Sequence, residues 1–236
     1  VKVAGGYLKV HRLYTEGKWQ FEHEYNRVEA GEAESTILRK ATLSYKKDKD
    51  GRYHYKTFTI ATTDKGYRWE NKGGDYVLYS QEGRIVETGN SFGVLSRYIY
   101  QDDRLLSIND RKNMPIYHLE YGAHGKINMV HDEHGRQVNY TWEDERLLTV
   151  TDVLGKTTRY SYSDEGQLVS KADESGRKFF ITYLDDGSVK SVLSRQGGGH
   201  TFSYSHDPYK NTYYVKSTST MGKIREYWFD EKGETK

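Results

Sequence analysis

The sequence predicts an all-β chain, an array of antiparallel β-hairpin repeats of about 21 residues each that forms a curved sheet or partial β-shell. Three observations predict it. The composition joins 22 Tyr, 4 Trp and 7 Phe to 23 Gly and only 2 Pro, a mixture suited to pleated strands linked by tight glycine turns. Aromatic residues recur at Tyr79, Tyr100, Tyr121, Trp142, Tyr162, Tyr183 and Tyr204, with successive spacings of 21, 21, 21, 20, 21 and 21 residues. Within each period a glycine or asparagine holds a second fixed place.

Residues 1–70 read as an irregular N-terminal β-region or cap, because terminal units of a repeat array are commonly atypical. Phe21 to Tyr25 alternates as a strand would, as do Tyr53, Tyr55 and Thr57, then Thr59 and Ala61. Glu29 to Lys40 suits a short helix, weakened by the β-branched Thr36 and Ile37. The polar run Lys46 to Arg52 and the pair Gly73-Gly74 are expected turns.

Residues 71–236 hold the repeats. Before each ladder aromatic the chain alternates with period two, as in Tyr98-x-Tyr100, Leu119-x-Tyr121, Val138-x-Tyr140-x-Trp142 and Phe179-x-Ile181-x-Tyr183, which marks a strand with one buried face. A short polar turn follows, then an apolar residue that opens the second strand: Ile85, Leu105, Ile127, Leu147, Leu168 or Val189. The residue before each opener (Arg84, Arg104, Lys126, Arg146, Gln167, Ser188) lies nine positions ahead of Gly93, Asn113, Gly135, Gly155, Gly176 and Gly197. Gly and Asn tolerate positive φ, so this is a turn position set by backbone geometry. Asp110, Asp132, Asp152 and Asp173 stand three residues earlier, the pattern of a type I turn whose first side chain is an acceptor. The other turn carries Gly83, Gly125, Gly166 and Gly187, but after Tyr100 and Trp142 it is one residue shorter and has no glycine, a change of hairpin-loop type. After Tyr204 the ruler slips at Asp207-Pro208-Tyr209, where a longer loop is expected. Phe229 to Gly233 reads as the opening of a further unit, with the array continuing past Lys236.

Charge and motifs narrow the function. The 36 Lys plus Arg nearly balance 34 Asp plus Glu, for a net charge of +2, and no long block of one sign nominates nucleic acid or a membrane surface. No apolar run approaches the roughly 18 residues of a spanning helix. The first residues, VKVAGGYLKV, hold neither Met nor an apolar signal segment, so the chain is read as an internal stretch of a longer protein without membrane insertion of its own. With no cysteine, disulfides, thiolate metal sites and thiol nucleophiles are excluded. His118, His124, His131 and His134 form the densest histidine group but lack HExxH-type spacing and are read as turn residues. Asp102-Asp103, Asp144-Glu145 and Asp185-Asp186 recur at one turn of the repeat, the place for solvated loop residues and not for a buried glycosidase acid. Gly197-Gly198-Gly199 lacks the Lys-Ser/Thr and helix of a phosphate loop, and no nucleophile elbow is present. The expectation is no enzyme, no cofactor and no metal.

A tyrosine, a short glycine turn, an Arg-Leu-like start, an Asp-x-x-Gly turn and a return strand together resemble the Rhs or YD-repeat family. Tyr162-Ser-Asp-Glu-Gly166-Gln-Leu168 with Asp173-Glu-Ser-Gly176-Arg177 carries the resemblance, as does Trp142 through Gly155. It covers roughly residues 75–204 and returns weakly at 229–234. The Asp that follows the family's tyrosine is replaced by Ser80, Gln101, Gly122, Glu143, Ser163 and Leu184, and Phe229-Asp230 alone approximates it.

The resemblance implies a long sheet that spirals into a hollow shell, as in bacterial polymorphic toxins, the C components of insecticidal toxin complexes and teneurins, where in the toxins it encloses a variable C-terminal toxin. It further implies a secreted or cell-surface setting, with further repeats of the same chain and the enclosed C-terminal domain as partners. The family's self-cleaving aspartyl core has no match here. The expected role is structural, with the aromatic ladder for packing and the Asp and Gly turns for register. The rival is a carbohydrate-binding or adhesion module. Its aromatics would be exposed and coplanar, whereas shell aromatics interlock between strands.

Overall fold

The computed structural model describes residues 2–3, 6–7, 9–15, 17–30, 35–38, 43–46, 49–54 and 57–231. They fall into two compact units, Val1–Val138 and Asn139–Lys236, and both are almost entirely antiparallel β.

Unit 1 begins with small hairpins. β1 (Lys2–Val3) pairs with β2 (Gly6–Tyr7), and β3 (Arg12–Thr15) with β4 (Lys18–Phe21). A single helical turn, α1 (Glu22–Tyr25), follows. The alternating Phe21 to Tyr25 therefore does not form a strand. Glu24 Oε2 accepts the Phe21 N–H at 2.6 Å, and Asn26 N–H donates to the Glu22 carbonyl at 2.8 Å, so local capping by Glu at the third helical position overrides the period-two pattern. β5 (Val28–Ala30), β6 (Ser35–Leu38) and β7 (Leu43–Lys46) form a three-stranded sheet. The helix expected over Glu29 to Lys40 is thus replaced by strands at Val28–Ala30 and Ser35–Leu38, in keeping with the β-branched Thr36 and Ile37; residues 31–34 and 39–40 lie outside the described residues, as do Tyr55 and residues 47–48.

The larger sheet of unit 1 contains β8 (Arg52–His54), β9 (Phe58–Thr63), β10 (Gly66–Asn71), β11 (Tyr76–Tyr79), β12 (Ile85–Asn90), β13 (Gly93–Gln101), β14 (Arg104–Asn109), β15 (Pro115–Tyr121) and β16 (Ile127–His131). Each strand pairs antiparallel with the next. Unit 2 continues the same plan with β17 (Gln137–Glu143), β18 (Arg146–Thr151), β19 (Thr157–Tyr162), β20 (Leu168–Ala172), β21 (Lys178–Tyr183), β22 (Val189–Ser194), β23 (Gly199–Asp207), β24 (Thr212–Ser219) and β25 (Ile224–Phe229). Among the described residues no helix is long and apolar enough to cross a membrane.

One irregularity repeats with the ruler. Tyr79 pairs with Ile85 while its neighbour Leu78 pairs with Glu87, leaving Val86 as an extra residue. The same shift sits at Tyr100, Tyr121, Trp142, Tyr162 and Tyr183. Each ladder aromatic thus faces an apolar opener across a β-bulge, a device that bends the strand and raises its twist. The bulge also accounts for the paired apolar residues Leu105-Leu106, Leu147-Leu148 and Leu168-Val169: two residues share one rung, so strict alternation fails there. The first of each pair is buried, as are Ile85 and Ile127.

The longer loop expected at Asp207-Pro208-Tyr209 is a longer hairpin instead. β23 and β24 pair without a shift from His200 opposite Ser219 to Asp207 opposite Thr212. The ruler slips because this hairpin has no bulge and adds rungs. β25 ends at Phe229; Lys232 and Gly233, expected in a further unit, lie outside the described residues.

Candidate functional site

The repeated chemistry lies on the aromatic face. In unit 1 the Tyr121 hydroxyl donates to the Leu105 carbonyl at 3.0 Å. In unit 2 Tyr162 donates to Leu147 at 2.7 Å, Tyr183 to Leu168 at 2.8 Å and Tyr204 to Val189 at 2.8 Å. Every acceptor is the apolar opener of the preceding repeat. The backbone pairing between those strands ends two residues short of it, at Ser107 opposite His118, Thr149 opposite Arg159, Ser170 opposite Phe180 and Ser191 opposite Thr201. The tyrosine side chain therefore reaches beyond the end of the ladder and satisfies a carbonyl that a neighbouring N–H no longer meets. That need selects Tyr over Phe.

The cation before the opener serves the same joint. Arg84 lies over the Tyr100 ring at 5.8 Å, Arg104 over Tyr121 at 5.5 Å and Arg146 over Tyr162 at 5.9 Å, each a cation–π contact between consecutive repeats. Arg84 also donates to the Asp102 carbonyl at 2.9 Å and pairs with the Asp103 carboxylate. Tyr100 departs from the pattern, because its buried hydroxyl has no hydrogen-bond partner among the described residues. Burial pushes the phenols of Tyr79, Tyr98 and Tyr100 well above their ordinary range and that of Tyr121 up to about 12, so all stay neutral donors at physiological pH.

The turn residues sit as follows. Asn113, Gly135, Gly155 and Gly176 have φ of 65°, 74°, 78° and 77°, and their N–H groups donate to the carbonyls of Asp110, Asp132, Asp152 and Asp173 at 2.9 to 3.1 Å. Oδ1 of each aspartate accepts the N–H four residues on at 2.9 to 3.0 Å. Asp132 and Asp173 also hold Arg136 and Arg177 at 2.7 and 2.8 Å. Burial opposes ionisation of Asp132, but these bonds outweigh it and hold its carboxyl below the usual range. The bond from Ser175 does so chiefly for Asp173. Gly93 differs: its φ is 110° and it pairs with Asn90 across a two-residue loop. Ser194 and Ser219 take the aspartate's place in the later turns, their hydroxyls accepting from Gly198 and Lys223. Ser is a weaker acceptor of the same geometry, so the sequence signal was present in a different residue.

The histidines divide. His118 and His131 face each other across β15 and β16, stacked at 5.1 Å and 19°, with Glu133 and Glu120 beside them. His124 lies in a 3₁₀ turn, Ala123–Gly125, and the His134 N–H serves the Asp132 turn. Among the described residues no group of three His, Asp or Glu is arranged to hold a metal ion. Asp102-Asp103 and Asp144-Glu145 are two-residue hairpin loops, with φ of 53° and 51° at Asp102 and Asp144.

Sequence reasoning missed one contributor. The segment Phe21–Val28 lies over the first aromatics of unit 1. Asn26 Oδ1 accepts the Tyr79 hydroxyl at 2.8 Å, and Val28 N–H donates to the Gly83 carbonyl at 3.1 Å. Val28 packs in the core with Tyr79 and Ile85. A Cβ at Gly83 would collide with the Val28 carbonyl, so this close approach requires glycine.

The chain is similar to several known proteins. The model of the RHS Repeat family matches residues 142–178. The probable deoxyribonuclease RhsB of Dickeya dadantii (strain 3937) is 26% identical over 202 residues, covering 80% of this chain and 12% of that protein. Among solved structures, TcdB2-TccC3 without its hypervariable C-terminal region is 17% identical, with 71% of this chain and 11% of that one covered and a TM-score of 0.31. A Photorhabdus luminescens Tc holotoxin pore carrying a TccC3 mutation is 11% identical, covers 85% and 13%, and has a TM-score of 0.36. The chain thus spans about an eighth of the curated relative. Residues 142–178 are an RHS repeat, and the resemblance of this chain to the Rhs family stands.

Proposed function

We propose that this chain is a stretch of shell wall in a longer Rhs-type protein, secreted or displayed at the cell surface, whose repeats enclose a C-terminal toxin or effector domain. Residues 1–70 are its lead-in and 71–236 its wall. The observation that supports this most is where the repeat's recurring side chains go. The hydroxyls of Tyr121, Tyr162, Tyr183 and Tyr204, the arginines before the openers and the turn aspartates are engaged in joining or turning hairpins. Such a repeat extends a sheet and presents no set of groups for catalysis, so any nuclease activity of an Rhs relative belongs, in this reading, to another part of the protein.

The test is protease protection of the segment that follows the repeats in the longer protein. A domain that survives native digestion with the repeats, and is degraded when expressed without them, is the expected result. Degradation at equal rates in both settings contradicts the wall.

A further inference from the structure

Where Phe21–Val28 covers the ladder of unit 1, two hydrogen-bond donors have no acceptor among the described residues. They are the Tyr100 hydroxyl and Arg27 Nε, both closed off from solvent. One turn, at residues 80–84, brings them together. Arg27 Nη2 donates to the Glu82 carbonyl at 3.1 Å, and the Val28 N–H to the Gly83 carbonyl at 3.1 Å. Arg84, at the end of the same turn, lies over the Tyr100 ring at 5.8 Å. Tyr79, Tyr121, Tyr162, Tyr183 and Tyr204 all donate their hydroxyls, so Tyr100 alone among the ladder tyrosines is left without an acceptor.

A guanidinium only donates, and a buried polar group without a partner marks a place for water or an ion. The charges decide between them. Arg27 has no carboxylate partner among the described residues. The acids around it are committed: Asp103 pairs with Arg84, Glu82 bonds Ser80, Glu22 Oε1 accepts from Asn26 at 3.3 Å, and Glu24 Oε2 accepts the Phe21 N–H at 2.6 Å. The ionised side chains that act on the Tyr100 hydroxyl are Arg84 and Arg27, both positive. Glu22 acts instead on Tyr79 and Tyr98, and Glu24 on Tyr121.

We infer that a halide ion, chloride in ordinary solution, binds between Arg27 and Tyr100, accepting from the Nε–H and the phenol O–H. Size follows from burial. Neither donor atom reaches solvent, so a protein surface or a polymer cannot supply the acceptor. An oxyanion would bring three or more oxygens, each needing a partner of its own, whereas two donors suit one spherical acceptor. The ion fastens the segment after α1 to the end of β13, a joint that elsewhere in the ladder is made by a carbonyl. This site goes beyond the wall reading and does not depend on it.

The probe is chloride itself, added to the whole chain in sodium gluconate buffer at constant ionic strength. The NMR linewidth of chloride should show excess broadening that saturates and that bromide displaces. Chloride affinity should fall about tenfold or more in Tyr100→Phe and in Arg27→Gln, because each removes a hydrogen bond to a charged acceptor. The urea midpoint of the parent should rise with chloride and that of either variant should not. Without halide, Tyr100→Phe should be at least as stable as the parent, since its hydroxyl then has nothing to donate to. If circular dichroism shows that Arg27→Gln disturbs the fold, Tyr100→Phe, which removes one oxygen, gives the same reading. Broadening equal in parent and variants, or a midpoint that follows chloride equally in all three, overturns the inference and leaves water at the two donors. So does a parent indifferent to chloride.

Discussion

Replacing Tyr162 by Phe removes one hydroxyl and almost nothing else. The lost bond is 2.7 Å long and ends on the Leu147 carbonyl, two residues past the last backbone rung between β18 and β19. A net hydrogen bond contributes about 0.5–1.5 kcal/mol, and the half-buried setting lets water reach part of the vacated space, so a loss of about 1 kcal/mol is expected. For a chain of this size that is a Tm decrease of about 2–4 °C. Tyr183→Phe should match it. Tyr162 and Tyr183 both meet Leu168, so the additivity test pairs Tyr162→Phe with Tyr204→Phe, which share no partner; that double variant should lose about the sum of its two single losses. Tyr100→Phe is the internal control: its buried hydroxyl has no hydrogen-bond partner among the described residues, so removal in halide-free buffer should leave stability unchanged or raise it. The assay is urea unfolding followed by circular dichroism and fluorescence, with separate fits if the two units melt apart. A Tyr162→Phe protein as stable as the parent, or a Tyr100→Phe protein as damaged as Tyr162→Phe, refutes the bridging account.

Gly155→Val meets open space at φ 78° and should cost roughly 1 kcal/mol or more in a urea melt through backbone strain alone, whereas Gly83→Ala should cost more because it also dislodges Phe21–Val28. Arg104→Ala should lose about 0.5–1 kcal/mol by the same melt. His23 is pushed down to about 4 by burial, so the unfolded chain takes up its proton first. Unit 1 should then lose on the order of 3 kcal/mol as pH falls from 6.5 to 4, a slope that His23→Leu removes. Asp173 carries a lowered pKa through its bonds from Ser175 and Arg177. Its contribution is present above the ordinary carboxylate pKa and lost as pH falls through the folded value, and Asp173→Asn should flatten that limb of the midpoint-versus-pH curve.

The repeat was legible because its constraints are local. A turn that needs positive φ writes Gly or Asn, an Asx acceptor writes Asp three residues earlier, and a one-faced strand writes period two. The bulge was not legible in the same way: it arises from pairing, and its trace is only a second apolar residue after the opener, as at Leu106 and Leu148. The role of Arg84, Arg104 and Arg146 was hidden because their aromatic partners lie in the next repeat. Phe21 to Tyr25 misled because alternation is a weak signal over five residues, and the Glu24 to Phe21 hydrogen bond decided the local conformation. The cover that Asn26 and Val28 form is a contact across more than fifty residues, which no periodicity encodes. Even the slip after Tyr204 was visible as a position and obscure as a cause, since a missing bulge and an inserted loop displace the ruler alike.

The central claim is that hairpins of about 21 residues are joined by one repeated set of bonds. Deleting residues 163–183 removes one whole unit and rejoins Tyr162 to Leu184-Asp185-Asp186-Gly187, the equivalent turn. Deleting residues 163–172 removes a turn and a single strand, reversing chain direction and turning the buried face outward for all that follows. Far-UV circular dichroism and urea unfolding of both proteins should show a cooperative β-fold for the whole-unit deletion and loss of cooperative structure in unit 2 for the half-unit deletion. Equal behaviour of the two, folded or unfolded, would contradict the repeat as the unit from which this wall is made.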